Sequence, residues 1–282
     1  MGLVFDSKSA NLYASWYRTP RGKAIERLVE AAFPLLLDPQ PRERIVDIGC
    51  GEGNHLLFFS RLGLDLTGID ASPYMIARAR ERLGSRSCLK VGRAEDLPFE
   101  DNEFDLSALI NTLEFVDNPL EALKEAARVT KRAVFIGVFN SLSWCSLSNK
   151  VVGLFRKSPF RDAQFFNLWE LKALIKAALG DVPMAWCCTP LGNPLFKPYN
   201  HVSAKRYVGH CPFGSFLALS ATMLYRVRTE QHPLKVGLEK AKRSVLDGIT
   251  MDKLRSAEVY RRDERSLSLR ENGEPKSQMF SL

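Results

Sequence analysis

From Arg44 to Phe139 the chain repeats one pattern: a short apolar run, a turn, then apolar residues at helical spacing. The runs RIVDIG (44–49), LDLTGID (64–70), SCLKVG (87–92), the front of FDLSALINTLEFV (104–116) and RAVFIGVF (132–139) read as strands. Between them, GNHLLFFSRLG reads as a helix stopped by Gly63. SPYMIARARERLG carries Ser72 as N-cap, Pro73 at the first helical position and Gly84 as stop. NPLEALKEAARVT repeats that start with Asn118 and Pro119. Strands alternating with helices in this way predict a parallel sheet covered on both faces, with right-handed crossovers.

Further along, NLWELKALIKAALG (167–180) is a helix capped by Asn167. PMAWCC and FLALSATMLYRV follow as strands with no helix between them, which predicts an antiparallel hairpin at the sheet edge. The expected fold is α/β: a doubly wound, mostly parallel seven-stranded sheet with an antiparallel edge strand. Ahead of it, residues 22–37 form an N-terminal helix limited by Pro34, after Tyr13, Trp16, Tyr17 and Arg18, which read as a hydrophobic anchor or, on the family resemblance given below, as a lid. The expected organisation is a helical cap over 1–41, a main domain over 42–228 and a charged helical or disordered tail over 229–282. That tail holds eleven Lys/Arg against nine Asp/Glu.

Composition narrows the function classes. The 282 residues are 45% hydrophobic and 26% charged, as in ordinary globular proteins. The net charge of +8 is spread along the length, so there is no strong nucleic-acid signal. Six cysteines without a CxxC pair predict reduced thiols, no disulfide framework and no metal site. The apolar-leaning run at 213–225 is too short for a transmembrane segment, and the first residues lack a signal core, so the cytoplasm is the expected compartment. Nothing sets an oligomeric state.

The chemistry concentrates at the exit of the first strand, Gly49-Cys50-Gly51-Glu52-Gly53. In a doubly wound sheet, ligands bind beyond the strand ends where the strand order reverses. The turn is not a P-loop, since no Gly-Lys-Ser/Thr follows, and its third glycine falls one position early for a dinucleotide fingerprint. Carboxylates surround it: Asp47 before the glycines, Glu52 within them, Asp70 at the end of the second strand and Glu95-Asp96 after the third. They would repel a pyrophosphate. They suit S-adenosylmethionine, which has a ribose, an ammonium and a sulfonium but no phosphate.

VDIGCGEGN, GIDASPYMIARAR and GRAEDLPFEDNEFDLSALINTLEFVDNP together resemble the class I S-adenosylmethionine-dependent methyltransferases, most nearly the ubiquinone/menaquinone-biosynthesis type. The resemblance spans about residues 42–140 and implies a Rossmann-like methyltransferase fold. It implies S-adenosyl-L-methionine as cofactor, with Asp47, Gly49, Cys50, Gly51 and Gly53 around the methionine part and Asp70 on the ribose diol. Ala71, Met75, Ala94, Glu95 and Asp96 would lie at the adenine, and Asn111 behind the sulfonium. The chain departs from many relatives at Asn111 and Phe115, where they carry histidines.

The expected reaction is in-line displacement of the methyl group onto a small acceptor that is aromatic, quinone-like or lipid-like. Asn-Thr-Leu-Glu at 111–114 is not the Asn/Asp-Pro-Pro-Tyr/Phe sequence of enzymes that methylate amide or exocyclic ring nitrogen. Candidate proton acceptors are Glu114, whose bland reading is a solvated helix-start carboxylate, and the loop histidines His201 and His210. The stretches 141–166, rich in aromatics, and 190–212 would cover the acceptor. Two readings stay open beside the enzyme: a non-catalytic binder of the same cofactor and a nicotinamide-dependent oxidoreductase.

Overall fold

The structure is a computed structural model that describes residues 4–143, 163–188 and 212–223. His201, His210, Trp144, most of the two expected cover stretches and the tail lie outside the described residues.

Two helices precede the sheet. Helix α1 (Ser7–Tyr17) starts where the Asp6 carboxylate accepts the Ser9 N–H at 2.7 Å. Helix α2 (Pro20–Leu37) starts where the Thr19 hydroxyl accepts from Gly22 N–H. Tyr13, Trp16 and Tyr17 therefore sit on a helix of their own, which sparse apolar periodicity had concealed. Helix α2 ends at Leu37, as the expected span 22–37 has it, with Pro34 one turn before the end. That last turn buries Leu37 and closes where Asp38 turns left-handed (φ 46°) and donates its N–H to Pro34 O.

The alternating segment folds as β1 (Arg44–Ile48), α3 (Asn54–Arg61), β2 (Asp65–Asp70), α4 (Pro73–Leu83), β3 (Ser87–Val91), β4 (Phe104–Ile110), α5 (Pro119–Arg128) and β5 (Thr130–Phe139). Helix α6 (Leu168–Leu179), β6 (Met184–Cys188) and β7 (Phe216–Thr222) complete it. The expected caps are formed: the Ser72 hydroxyl accepts from Met75 N–H and Asn118 Oδ1 from Glu121 N–H. Asn167 and Glu170 make a reciprocal capping box at α6.

The seven strands lie in the order β3-β2-β1-β4-β5-β7-β6. Neighbours from β3 to β5 are parallel; β7 pairs antiparallel with both β5 and β6. The reversed strand thus sits one place in from the edge, with β6 outside it. This is the expected doubly wound α/β sheet.

Alternation along the strands sends side chains into two cores. On one face, Ile45, Leu106 and Phe135 meet Leu28 and Phe33 of α2, Leu56 and Phe59 of α3 and Ile76 of α4. Phe33 is fully buried, with ring centroids 4.6 Å from Phe59 and 5.1 Å from Phe135. On the other face, Val46, Ile48, Leu109 and Ile136 meet Leu123 of α5 and Leu171 and Ile175 of α6. The strand order reverses between β1 and β4, so the carboxyl ends of β1, β2 and β4 open onto one crevice.

Candidate active site

Three glycines at the end of β1 take left-handed backbone: Gly49 (φ 77°), Gly51 (φ 52°) and Gly53 (φ 77°). Only glycine adopts such a run cheaply, but the three serve different ends. A Cβ on Gly49 would lie 2.6 Å from Thr112 Cγ2, and one on Gly53 would lie 2.7 Å from Leu83 Cδ1. A Cβ on Gly51 would meet nothing within 4 Å. Gly49 and Gly53 are therefore pinned by packing. Gly51 presents bare backbone to the cleft.

Across the turn, Asp70 Oδ2 accepts the Gly51 N–H at 2.9 Å and Oδ1 accepts the Ser72 N–H at 2.8 Å. The carboxylate is held rigidly, and each oxygen keeps a lone pair for a ligand hydroxyl. Burial raises its pKa against these two bonds.

Asp47, two residues before Gly49, is almost wholly buried, and its Oδ2 has no hydrogen-bond partner among the described residues. Burial, with the Asp70 charge adding, pushes it up to about 8. Asn111, at the end of β4, is buried with φ 54°, a strained backbone for a residue with a side chain. Its Nδ2 donates to the Tyr17 hydroxyl at 2.7 Å, and its Oδ1 is unpartnered among the described residues. The Cys50 thiol lies in the core against Gly68, reaches Gly51 O at 3.8 Å and does not line the cleft.

The cleft above these groups is lined by Gly49, Gly51, Asp70, Ala71, Met75, Ala94, Glu95, Asn111 and Thr112. Glu95 accepts the Asp117 N–H at 2.9 Å and so ties the loop after β3 to the start of α5. Asp96 is exposed and does not line the cleft. Arg93 does, but its guanidinium is engaged by Asp117 at 2.7 Å and Glu95 at 3.4 Å.

Of the roof, the sequence offered only Tyr13, as part of an anchor or a lid. Val4, Phe5, Tyr13, Phe115 and Val116 close the cleft from above. The Ser72 hydroxyl donates to Phe5 O at 2.6 Å, strapping the N-terminal segment across the cleft. Phe5 meets Tyr13 and Phe115 edge-on at 5.2 Å each. Phe115, noted in the sequence only as a missing histidine, is thus part of an aromatic lid. Thr112 was also missed; its hydroxyl donates to Ile48 O at 2.7 Å and locks β4 to β1 below the glycines. So was His55, buried beside the Tyr17 ring at 6.2 Å and held neutral by burial, its pKa lowered to about 4. No single-residue pattern marks these positions.

Glu114 is not a solvated helix-start carboxylate. It is 2% exposed; Oε1 accepts the Phe139 N–H at 2.8 Å, and Oε2 has no partner among the described residues. Burial pushes it up to about 8.

The donor set fits a cationic nucleoside. Two buried oxygens with no hydrogen-bond partner among the described residues, Asp47 Oδ2 and Asn111 Oδ1, stand beside bare glycine backbone, and the cleft's guanidinium is already engaged. A pyrophosphate would meet carboxylates here.

The family model of a methyltransferase domain matches residues 46–136. An uncharacterized protein of Methanocaldococcus jannaschii is 31% identical over 221 residues, covering 77% of this chain and 98% of that protein. An S-adenosylmethionine-dependent methyltransferase of Thermotoga maritima, described as a possible histamine N-methyltransferase, superposes with a TM-score of 0.61 at 27% identity. That match covers 76% of this chain and 95% of that one. The chain belongs to the class I S-adenosylmethionine-dependent methyltransferases.

This methyltransferase is similar over a shorter stretch to the chloroplastic 2-methyl-6-phytyl-1,4-hydroquinone methyltransferase of Arabidopsis thaliana. They share 29% identity over 146 residues, 44% of this chain and 42% of that relative's length. Its cofactor is S-adenosylmethionine, which removes the nicotinamide reading. No helix among the described residues is long and apolar enough to cross a membrane, and none of their His, Cys, Asp and Glu side chains gather as a metal site.

Proposed function

We propose that this methyltransferase holds S-adenosylmethionine in the cleft between the glycine turn and the aromatic lid, and transfers its methyl group to a small aromatic, quinone-like or lipid-like acceptor. The observation that carries the cofactor placement is the pair of unpartnered buried acceptors, Asp47 Oδ2 and Asn111 Oδ1, flanking Gly49–Gly51. The methionine ammonium would supply the missing donors. Gly51 leaves room for the ligand, and Asp70 would take both ribose hydroxyls. Ala71, Met75, Ala94 and Glu95 would border the adenine, and the exposed Asp96 takes no part.

When bound, S-adenosylmethionine supplies an electrophilic methyl group on a sulfur that is already a good leaving group. The chain's own work is then alignment and the exclusion of water. The lid formed by Phe5, Tyr13 and Phe115 does the second, and backbone anchoring of Asp70 contributes to the first. The aromatic surroundings and the likeness to the hydroquinone methyltransferase support an aromatic or quinone-like acceptor.

Calorimetric titration of the full chain tests the placement. S-adenosylmethionine should bind and NADH should not. Asp70→Ala should weaken cofactor binding by roughly 1.5–3 kcal/mol, the usual worth of a hydrogen bond to a charged group. Unchanged affinity in that variant would move the ribose elsewhere.

A further inference from the structure

Asn111 lines the cleft at the end of β4, and its backbone is fixed from both sides. Its N–H donates to Gly137 O at 2.8 Å, and the hydroxyl of the next residue, Thr112, donates to Ile48 O at 2.7 Å. The left-handed turn at φ 54° is thereby held from β5 and from β1. What the backbone leaves open is the rotation of the side-chain amide. Oxygen and nitrogen are nearly alike in size and opposite in hydrogen bonding. Turned one way, the amide offers the cleft an acceptor; turned the other way, it offers donors.

The partner that decides is Tyr17, 94 positions earlier, on α1. Tyr17 is 6% exposed and does not line the cleft, yet its hydroxyl oxygen accepts from Asn111 Nδ2 at 2.7 Å. The Tyr13 hydroxyl donates to the same oxygen at 3.5 Å. Burial foremost raises the pKa of Tyr17 against these two bonds, so the phenol keeps its hydrogen. The charges of Glu26 and Asp47 also act on the phenol. They draw its hydrogen toward themselves and leave the oxygen's lone pairs to the amide N–H. The ring is equally confined, edge-on to Trp16 at 5.2 Å and to the buried His55 of α3 at 6.2 Å. With Nδ2 taken, Oδ1 is the atom left over, buried and unpartnered among the described residues.

We propose that Tyr17 is a positioning residue for the cofactor: its hydroxyl holds the Asn111 amide with Oδ1 toward the cleft, where that oxygen and Asp47 receive the methionine ammonium. This deepens the cofactor placement proposed above and rests on it. Without the hydroxyl the amide can turn and present Nδ2, setting a donor against the donors of the ammonium. The adenosine half of the ligand, at Asp70, Ala71 and Met75, would not sense the change. Because Tyr17 and the lid residue Tyr13 share α1, the helix that helps close the cleft also aims the group that reads the ammonium.

Calorimetric titration of the full chain with two ligands tests this. S-adenosylhomocysteine carries the ammonium; methylthioadenosine shares the adenosine and the thioether but lacks the amino-acid part. The wild type should bind S-adenosylhomocysteine the more tightly. Tyr17→Phe, which keeps the ring and removes one oxygen, should lose about tenfold or more in affinity for S-adenosylhomocysteine and less than about twofold for methylthioadenosine. Asn111→Gly removes the amide at a backbone conformation that suits glycine. Adding Tyr17→Phe to it should cost S-adenosylhomocysteine no further affinity, because no amide remains to aim. Equal losses for the two ligands in Tyr17→Phe would make Tyr17 structural only and overturn the proposal. Unchanged S-adenosylhomocysteine affinity in Tyr17→Phe, or a further loss of the same size in the Asn111→Gly background, would overturn it too. A wild type that binds the two ligands equally would instead overturn the ammonium contact beneath the proposal.

Discussion

Gly49 and Gly51 are two positions apart, share a left-handed backbone and look alike in the sequence, yet their missing side chains answer to different neighbours. A methyl group on Gly49 runs into Thr112, which is itself bonded to Ile48 O, so Gly49→Ala should lower stability. A methyl group on Gly51 meets open space and adds only the backbone strain, about 1–2 kcal/mol. Thermal melts should therefore show the larger drop for Gly49→Ala. Cofactor titration should show Gly51→Ala folded but at least about tenfold weaker, near 1.4 kcal/mol. A Gly51→Ala protein that binds normally would place the ligand away from this turn.

At the scale of elements, the loop-to-helix junction after β2 does two jobs through one side chain. The Ser72 hydroxyl caps α4, accepting from Met75 N–H, and at the same time donates to Phe5 O, holding the N-terminal segment over the cleft. The adjoining α4 residue Arg78 bonds Asn11 of α1 and, at 3.5 Å, Glu52 of the glycine turn, so turn, lid and helix are linked. Glycine serves nearly as well as serine at an N-cap but carries no hydroxyl. Ser72→Gly should then change stability by only a few tenths of a kcal/mol while releasing the strap. Stopped-flow fluorescence of Trp16, on α1, should show faster release of S-adenosylhomocysteine. Unchanged release would mean that the aromatic contacts of Phe5 alone hold the lid.

Across the whole molecule, the buried carboxyls set the pH response. Asp47 and Glu114 are raised from 3.8 and 4.5 to about 8, so between those limits the folded protein holds protons that the unfolded chain has released. Stability contributed by these groups falls as pH rises through that window. His55, lowered from 6.5 to about 4, acts oppositely over its own range, where the unfolded chain holds the extra proton. The carboxyl effect is therefore unopposed by His55 from about pH 6.5 to about pH 8. Urea titrations without cofactor should show stability dropping across that interval. Saturating S-adenosylmethionine should flatten the drop by giving Asp47 a cationic partner. A flat profile without cofactor would mean that Asp47 and Glu114 are already ionised in the folded protein.

The glycine turn, the acids at the strand ends, the caps at Ser72, Asn118 and Asn167 and the alternation of apolar runs were legible along the chain. Each is a local device: a turn needs φ above zero, a helix start needs an acceptor, and a buried strand needs an uninterrupted apolar run. From these followed the doubly wound sheet and the mouth of the crevice. The antiparallel place of β7 inside β6 and the meeting of Phe5 and Phe115 with Tyr13 over the cleft were decided by contacts between residues far apart in sequence. The same holds for Glu114. Three letters past Asn111 it reads as a proton acceptor or a solvated acid, and only the closing of β5 and the segment before α6 around it buries it and leaves one oxygen bare.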